Sequence, residues 1–324
     1  MDLATVTSGR FSPAAYRRVT LWTVVLVGFI IVTGATVRLT DSGLGCPNWP
    51  DCTTGHLVAT TGYHPMVEFI NRVVTGLVSA AVMMAALGAF LRRPRRPDLC
   101  WLGGGLVLGL AGQIVLGGET VKHRLEPAFV MAHFLLSILL LWDAVALHHR
   151  ASLPDDRPSE PVGDRGLVRL GRLLVVMVAA TVVAGTVVTG SGPHSGANAG
   201  DGRVRRWHLD LHRITQVHGS AAMATLALTL ACWWLMRSRS AHPAARHRLQ
   251  LLVEALAFQI SVGYTQYFSG VPALLVAFHV LGAVLVWTAV LRLSLGLSSG
   301  VPGDSPGARP PVAGQERAAP PPRS

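Results

Sequence analysis

LAGQIVLGGETVKHRLEPAFVMAH (residues 110–133) and LAFQISVGYTQYFSGVPALLVAFH (residues 256–279) are the stretches whose reading decides the fold. Each leaves an apolar segment that contains a glutamine. It then crosses a short turn containing proline and enters a second apolar segment that contains a histidine. Gln113 and His133 are twenty residues apart, and so are Gln259 and His279. The same apolar–turn–apolar unit thus stands in equivalent places of two half-chains.

Segments of this kind run through the whole chain. Half of the 324 residues are hydrophobic and 14% are charged. The mean hydropathy is +0.44. A bilayer core of about 30 Å needs about 20 apolar residues in helix. Eight runs meet that need: 20–38, 67–91, 99–118, 127–147, 170–190, 214–236, 249–268 and 272–295. The second, with Glu68 and Arg72, and the seventh, with Glu254 and Gln259, are the least apolar. The expectation is an all-α integral membrane protein with eight transmembrane helices.

The net charge of +11 is mostly topological. Arg10, Arg17 and Arg18 precede the first run, and Arg92, Arg93, Arg95 and Arg96 separate the second from the third. Arg150, Arg157, Arg165, Arg169 and Arg172 separate the fourth from the fifth; Arg237, Arg239, Arg246 and Arg248 separate the sixth from the seventh. All these lie on one side, which the positive-inside rule makes cytoplasmic. An even number of spans puts both termini there. The outer side carries Arg38, Lys122, Arg124 and one anomalous cluster, Arg203, Arg205 and Arg206. Basic residues scattered over short loops do not make a nucleic-acid surface.

The halves repeat. GFIIVTGATVRLTDSG (28–43) resembles MVAATVVAGTVVTGSG (177–192), the third run resembles the seventh, and the fourth the eighth. Two pseudo-symmetric four-helix bundles are expected. The chain divides into a cytoplasmic segment 1–19, an N-terminal half 20–148, a linker 149–169, a C-terminal half 170–296 and a Pro/Gly/Ala-rich tail 297–324 without periodicity.

Ionisable groups inside apolar helices are rare and point to function. His133 and His279 enter their helices from the outer side at about 10 Å depth, reckoned at 1.5 Å per residue. His218 lies at similar depth in the sixth run. A haem held by one histidine from each of two helices needs them at similar depth on facing helices, and His218 with His279 meets that need. His212, nearer the interface and next to Arg213, competes with His218. The alternative for each is a hydrogen-bonding or packing role. Glu68 and Asn71 share a helix face. Glu68 is either a carboxylate neutralised by Arg72 at the interface or one that relays protons or positions a substrate. Arg38 either snorkels or pairs with a haem propionate. Cys46 and Cys52, in the outer loop GLGCPNWPDC, form a disulfide or a redox pair; their spacing is not that of a zinc site. Cys100 and Cys232 read as packing residues.

GATVRLTDSGLGCPNWPDC (34–52), EFINRVVTG (68–76), the two Gln–His pairs, QVHG (216–219) and AFHVLG (277–282) together resemble the haem A synthase family. The resemblance covers about residues 15–295. It implies an oxidoreductase that converts haem O to haem A for cytochrome oxidase, by successive hydroxylations of the C8 methyl to a formyl group. It implies haem b as cofactor on His218 and His279, haem O as substrate bound by His133 in the N-terminal half, Glu68 as the catalytic carboxylate, and Cys46–Cys52 as the family's cysteine pair. Membrane lipid, haem O synthase, cytochrome oxidase assembly factors and an unidentified electron donor are the implied partners, and a homo-oligomer is compatible with it. The chain departs from the family where Asn71 replaces a histidine. Asn71 then leaves the iron at His133 open, or His64, one turn before Glu68, supplies the second ligand.

Two other classes compete. A b-type cytochrome without substrate chemistry explains His218 and His279 but not Glu68 or the outer cysteines. A transporter built from parallel repeats needs broken helices and midplane charge.

Overall fold

The computed structural model describes residues 11–46, 48–59, 61–155, 161–197, 204–239 and 241–300. Arg10, Arg157, Arg203 and the tail beyond 300 lie outside them. Among the described residues the chain forms eight helices: α1 (Pro13–Leu39), α2 (Tyr63–Leu91), α3 (Pro97–Lys122), α4 (Pro127–Ala151), α5 (Arg165–Ser191), α6 (Leu211–Ser238), α7 (Pro243–Phe268) and α8 (Ala273–Ser299). All but α7 are long and apolar enough to cross a membrane. The deficit of α7 is compositional, from polar residues inside it such as Glu254, Gln259 and Gln266; it still packs against α6 and α8.

The helices overrun the apolar runs at their polar ends, because capping chemistry extends them past the hydrophobic stretch. Pro13, Pro97 and Pro243 occupy first turns, where the missing N–H costs nothing. Asp164 accepts from Leu167 N at 2.9 Å to start α5, and Asp210 accepts from His212 N and Arg213 N to start α6. The linker expected at 149–169 is therefore shorter, since α4 continues to Ala151 and α5 begins at Arg165. α8 likewise continues to Ser299, past the expected start of the tail at 297.

Each half closes into a ring. α1 packs on α2, α2 on α3, α3 on α4 and α4 back on α1; α5 to α8 repeat that order. The halves meet through α4 against α8, α1 against α8 and α4 against α5, the set that a pseudo-two-fold axis between α4 and α8 requires. The seam is apolar with few polar ties. Trp287 Nε1 donates to Ile138 O at 3.0 Å, and His149 Nε2 meets Ser299 Oγ at 3.0 Å.

The repeat extends to backbone detail. Arg124 and Leu125 take positive φ (49° and 59°) in the α3–α4 turn, and Gly270 and Val271 (76° and 60°) do so in the α7–α8 turn. Leu125 N donates to Thr120 O, and Val271 N to Gln266 O. Each of these residues is 146 positions from its counterpart (120 and 266, 124 and 270, 125 and 271). Left-handed non-glycine residues are uncommon, so the same turn in the same register marks structural equivalence more firmly than apolar composition does.

The anomalous outer arginines fall into place in the loops. Arg206 donates to Thr189 O and Gly192 O, capping the C-terminal carbonyls of α5. Arg205 reaches Glu126 across the halves. At the opposite end Arg92, fully buried, donates to both oxygens of Asp155 at 2.6 and 2.7 Å, so part of the arginine charge between α2 and α3 is internal structure.

Candidate functional site

The ring topology places α6 and α8 diagonally, and their backbones do not approach. His218 projects from the outer part of α6 and His279 from the outer part of α8, so the imidazoles meet across the bundle with ring centres 6.1 Å apart. A metal–imidazole nitrogen bond is about 2.0–2.1 Å. Two such bonds in line, with about 1 Å from each nitrogen to its ring centre, span about 6 Å between ring centres. The observed separation is that of a pair able to share one metal ion.

The environment of each ring supports the same reading. His218 Nδ1 bonds to Thr181 O at 3.0 Å, which makes Nδ1 the donor and leaves Nε2 with a free lone pair. Gly185 on α5 lies against the His218 ring and Gly263 on α7 against the His279 ring; a Cβ on either would press on the imidazole. His279 Nδ1 is buried without a hydrogen-bond partner. Among the described residues no three of His, Cys, Asp and Glu gather as a cage for a bare ion. The imidazole pair therefore suits a metal that brings its remaining ligands with it, as haem iron does. His212 is exposed and its ring nitrogens meet Gln216 and Tyr267, so of the two competitors His218 is the one facing His279.

The N-terminal half repeats the frame with other side chains. His133 on α4 and Asn71 on α2 again stand on diagonal helices. His133 Nδ1 and Asn71 Oδ1 are both buried without a partner. Gly117, the counterpart of Gly263, lies against His133. His64 bonds through Nδ1 to Ser42 Oγ at 3.0 Å in the first turn of α2.

Glu68 is buried one turn above Asn71, and both of its oxygens are engaged. Oε2 accepts from Cys46 N at 2.7 Å and Oε1 from Arg72 at 2.7 Å. Arg72 also donates to the carbonyls of Cys46, Asn48, Pro50 and Asp51, and its guanidinium lies over Trp49 at 5.1 Å. The Trp49 indole rests on Gly118, next to the glycine that backs His133. Cys46 and Cys52 are joined in a disulfide within this loop. The first outer loop is thus a roof over the N-terminal half, clamped down by α2. Cys232 is a buried packing residue, and Cys100 donates weakly to Ala89 O.

Arg38 donates to His194 O (3.0 and 2.7 Å) and to Thr189 O (3.1 Å), carbonyls of the other half's outer loop. It is neither snorkelling nor idle, and joins the halves.

Three features escaped the sequence reading. The Thr181 carbonyl is invisible there, because any residue supplies one. The glycine four positions after each glutamine, Gly117 and Gly263, was in view in LAGQIVLG and LAFQISVG as the space for a ring. Asp143 was passed over in the sequence: it lies within α4, packed on Gly105, with Oδ1 buried and unpartnered.

A family model described as a cytochrome oxidase assembly protein, COX15-CtaA, matches residues 17–65 and 58–291. Haem A synthases of Lysinibacillus sphaericus (30% identical over 111 residues, 34% of this chain and 36% of the relative) and Shewanella oneidensis (32% over 142 residues, 37% and 42%) are similar in sequence. That of Listeria welshimeri is 32% identical over 128 residues, 39% of this chain and 42% of the relative. The matched stretches span about two fifths of these relatives' own length. With the family model covering most of the chain, from Arg17 to Leu291, this protein belongs to the COX15-CtaA family of cytochrome oxidase assembly proteins.

Proposed function

We propose that the chain is a haem A synthase, an oxidoreductase that converts the C8 methyl of haem O to a formyl group by successive hydroxylations. The observation that carries this reading is the contrast between the two diagonal pairs. His218 and His279 stand 6.1 Å apart and suit a two-ligand haem b. His133 and Asn71 offer one imidazole. When bound, haem b supplies one-electron transfer. His218 and His279 would hold it, and a haem held by two imidazoles suits relay and not substrate chemistry.

The N-terminal half is the reaction chamber in this reading. His133 would hold haem O as substrate, Asn71 offers no second imidazole, and dioxygen would be the oxidant. Glu68, buried and one turn above Asn71, holds or delivers a proton at Oε1 or Oε2 beside the reacting methyl. The Trp49 roof keeps bulk water off the site. Arg38, already at the junction of the halves, takes a propionate through whichever guanidinium hydrogens its carbonyl partners leave. Electrons come from an outside donor, and haem O synthase and the oxidase assembly factors supply substrate and take product. The protein works in a bacterial plasma membrane with both termini in the cytoplasm.

Haem extraction from cells that make haem O but lack their own haem A activity tests the reading. Haem A appearing only with the active chain supports it. A folded, haem-loaded protein that yields haem O alone overturns it in favour of an electron-carrying b-type cytochrome.

A further inference from the structure

Gln113 and Gln259 occupy equivalent positions, 146 residues apart, but their side chains do different things. Gln259 Nε2 meets the ring of its partner at His279 Nε2, at 3.1 Å. Gln113 Nε2 ignores the ring and donates to His133 O (3.2 Å) and Ser137 Oγ (2.8 Å). The cause lies on the facing helix. After His133, α4 continues FLLS; after His279, α8 continues VLGA. Ser137 draws the Gln113 amide down to α4, with Oγ itself held on His133 O at 2.9 Å. Ala283 stands in the equivalent place and offers no such acceptor. Gly282 replaces Leu136, and a Cβ there would collide with Gln259 Oε1. Two substitutions thus open α8 to the glutamine and remove its competitor.

His279 Nδ1 and Gln259 Oε1 are also both buried without partners. One is a ring nitrogen and the other an amide oxygen, on residues already in contact. Here Gln259 meets the ring at Nε2, the nitrogen a metal needs; turning the imidazole over about Cβ–Cγ and reversing the amide frees Nε2 and brings Nδ1–H toward Oε1 as donor and acceptor. Metal-bound histidines almost always donate their second ring N–H to such an acceptor, which fixes the ring and raises its basicity.

We propose that Gln259 is the positioning residue for His279: with Nε2 on the haem b iron, Nδ1–H donates to Gln259 Oε1. Gln113, held by Ser137, leaves the His133 ring without that support. The two haem sites of one duplicated frame are thereby tuned apart, with a firmly oriented, electron-rich ligand in the C-terminal half and a weaker one in the N-terminal half. This rests on reading His218 and His279 as haem b ligands.

The test uses the full chain, purified with its haem b, and reads haem retention and reduction potential. Gln259→Leu removes the acceptor, so affinity for haem b falls 10–100-fold and the potential rises as the ferric state loses a donor-rich ligand. Gln259→Glu strengthens the acceptor and moves the potential down. Ala283→Ser restores the competing hydroxyl and moves it up, in the direction of Gln259→Leu. Gln113→Leu leaves the haem b potential where it was. Opposite shifts for the leucine and glutamate variants support the proposal, because damage to packing alone would not reverse sign. Unchanged potentials, or shifts of one sign in both, overturn it. A wild-type chain with no two-histidine haem spectrum would instead refute the assignment of the site beneath it, a distinct outcome.

Discussion

The carboxylate of Glu68 accepts a hydrogen bond from the backbone N–H of Cys46 at 2.7 Å, joining a buried acid of α2 directly to one half of the disulfide in the outer loop. On the proposed function this side chain both holds the loop and serves the chemistry, and two variants separate the roles. Glu68→Ala removes the acceptor for Cys46 and the partner of Arg72. Hydrogen bonds to charged groups contribute about 1.5–3 kcal/mol each, so the loop loosens and dithiothreitol reduces the disulfide faster. Glu68→Gln keeps an oxygen for Cys46 N–H and the loop stays down, but the acid is gone. Haem A formation is expected to be lost in both, with rapid reduction only in the alanine variant. Full activity of Glu68→Gln would remove Glu68 from the chemistry.

Arg72 holds that loop by geometry as much as by charge. Its planar fork reaches four loop carbonyls and Glu68 while its face covers Trp49. Lysine carries the charge without the fork or the stacking surface. Arg72→Lys is expected to expose the Cys46–Cys52 bond to reductant several-fold faster and to lower the thermal midpoint, whereas an exposed ion pair would contribute only about 0–1 kcal/mol. A variant as resistant to reduction as the parent would show that the clamp does not hold the roof.

The facing of His218 and His279 sets a sharp expectation for haem binding. His218→Ala and His279→Ala should each abolish the low-spin b-type spectrum, while His212→Ala retains it, since the His212 ring lies outside the pair on Gln216 and Tyr267. His133→Ala should keep the b-type spectrum and lose haem A. Absorption spectra of the four purified variants decide this, and loss of the spectrum in His212→Ala would exchange the two assignments on α6.

The fold was legible because a bilayer imposes long apolar runs, and because the Gln–His spacing recurs at one interval. The facing histidines were legible for the same reason: imidazoles at equal depth stand out against an apolar background. What the sequence hid is where side chains spend their hydrogen bonds. Arg38 looked like a residue for propionate or solvent, yet it binds carbonyls of the other half, which no pattern along one segment displays. Gln113 and Gln259 looked identical, and the residues that separate them, Ser137 and Ala283, are remote from them in the chain. The extra turns at helix ends came from caps such as Asp164, a local effect that hydropathy does not register.

The seam between the halves offers a test of how tightly they are joined. Trp287 Nε1 is the buried donor that crosses from α8 to Ile138 O on α4. Trp287→Phe keeps most of the ring and removes the N–H. The expected loss is about 1 kcal/mol, the net contribution of a typical hydrogen bond, with little added for the carbonyl. Differential scanning fluorimetry in detergent should show a small drop in midpoint with haem content unchanged. A loss of several kcal/mol, or separation of the halves in limited proteolysis, would mean the bond organises the seam and does not merely decorate it.

At the end of the helices away from the Cys46–Cys52 loop, Asp164 caps α5 through Leu167 N at 2.9 Å and pairs with Arg239 of α6 at 2.7 Å. The Leu167 N–H first, and then Arg239, hold its carboxyl below the ordinary value of 3.8. A carboxyl depressed on folding stabilises the fold above its unfolded pKa, and that stabilisation disappears as pH falls through the folded value. Asn is itself a good N-cap, so Asp164→Asn keeps the cap and removes the charge. The parent should melt above the variant at neutral pH by a constant margin. The margin should begin to close near pH 4 and vanish in stronger acid, and added salt should shrink it because the pair is exposed. Melting curves of both proteins from pH 7 to pH 3 check this; a gap that stayed open throughout would show that the carboxylate's charge plays no part in joining α5 to α6.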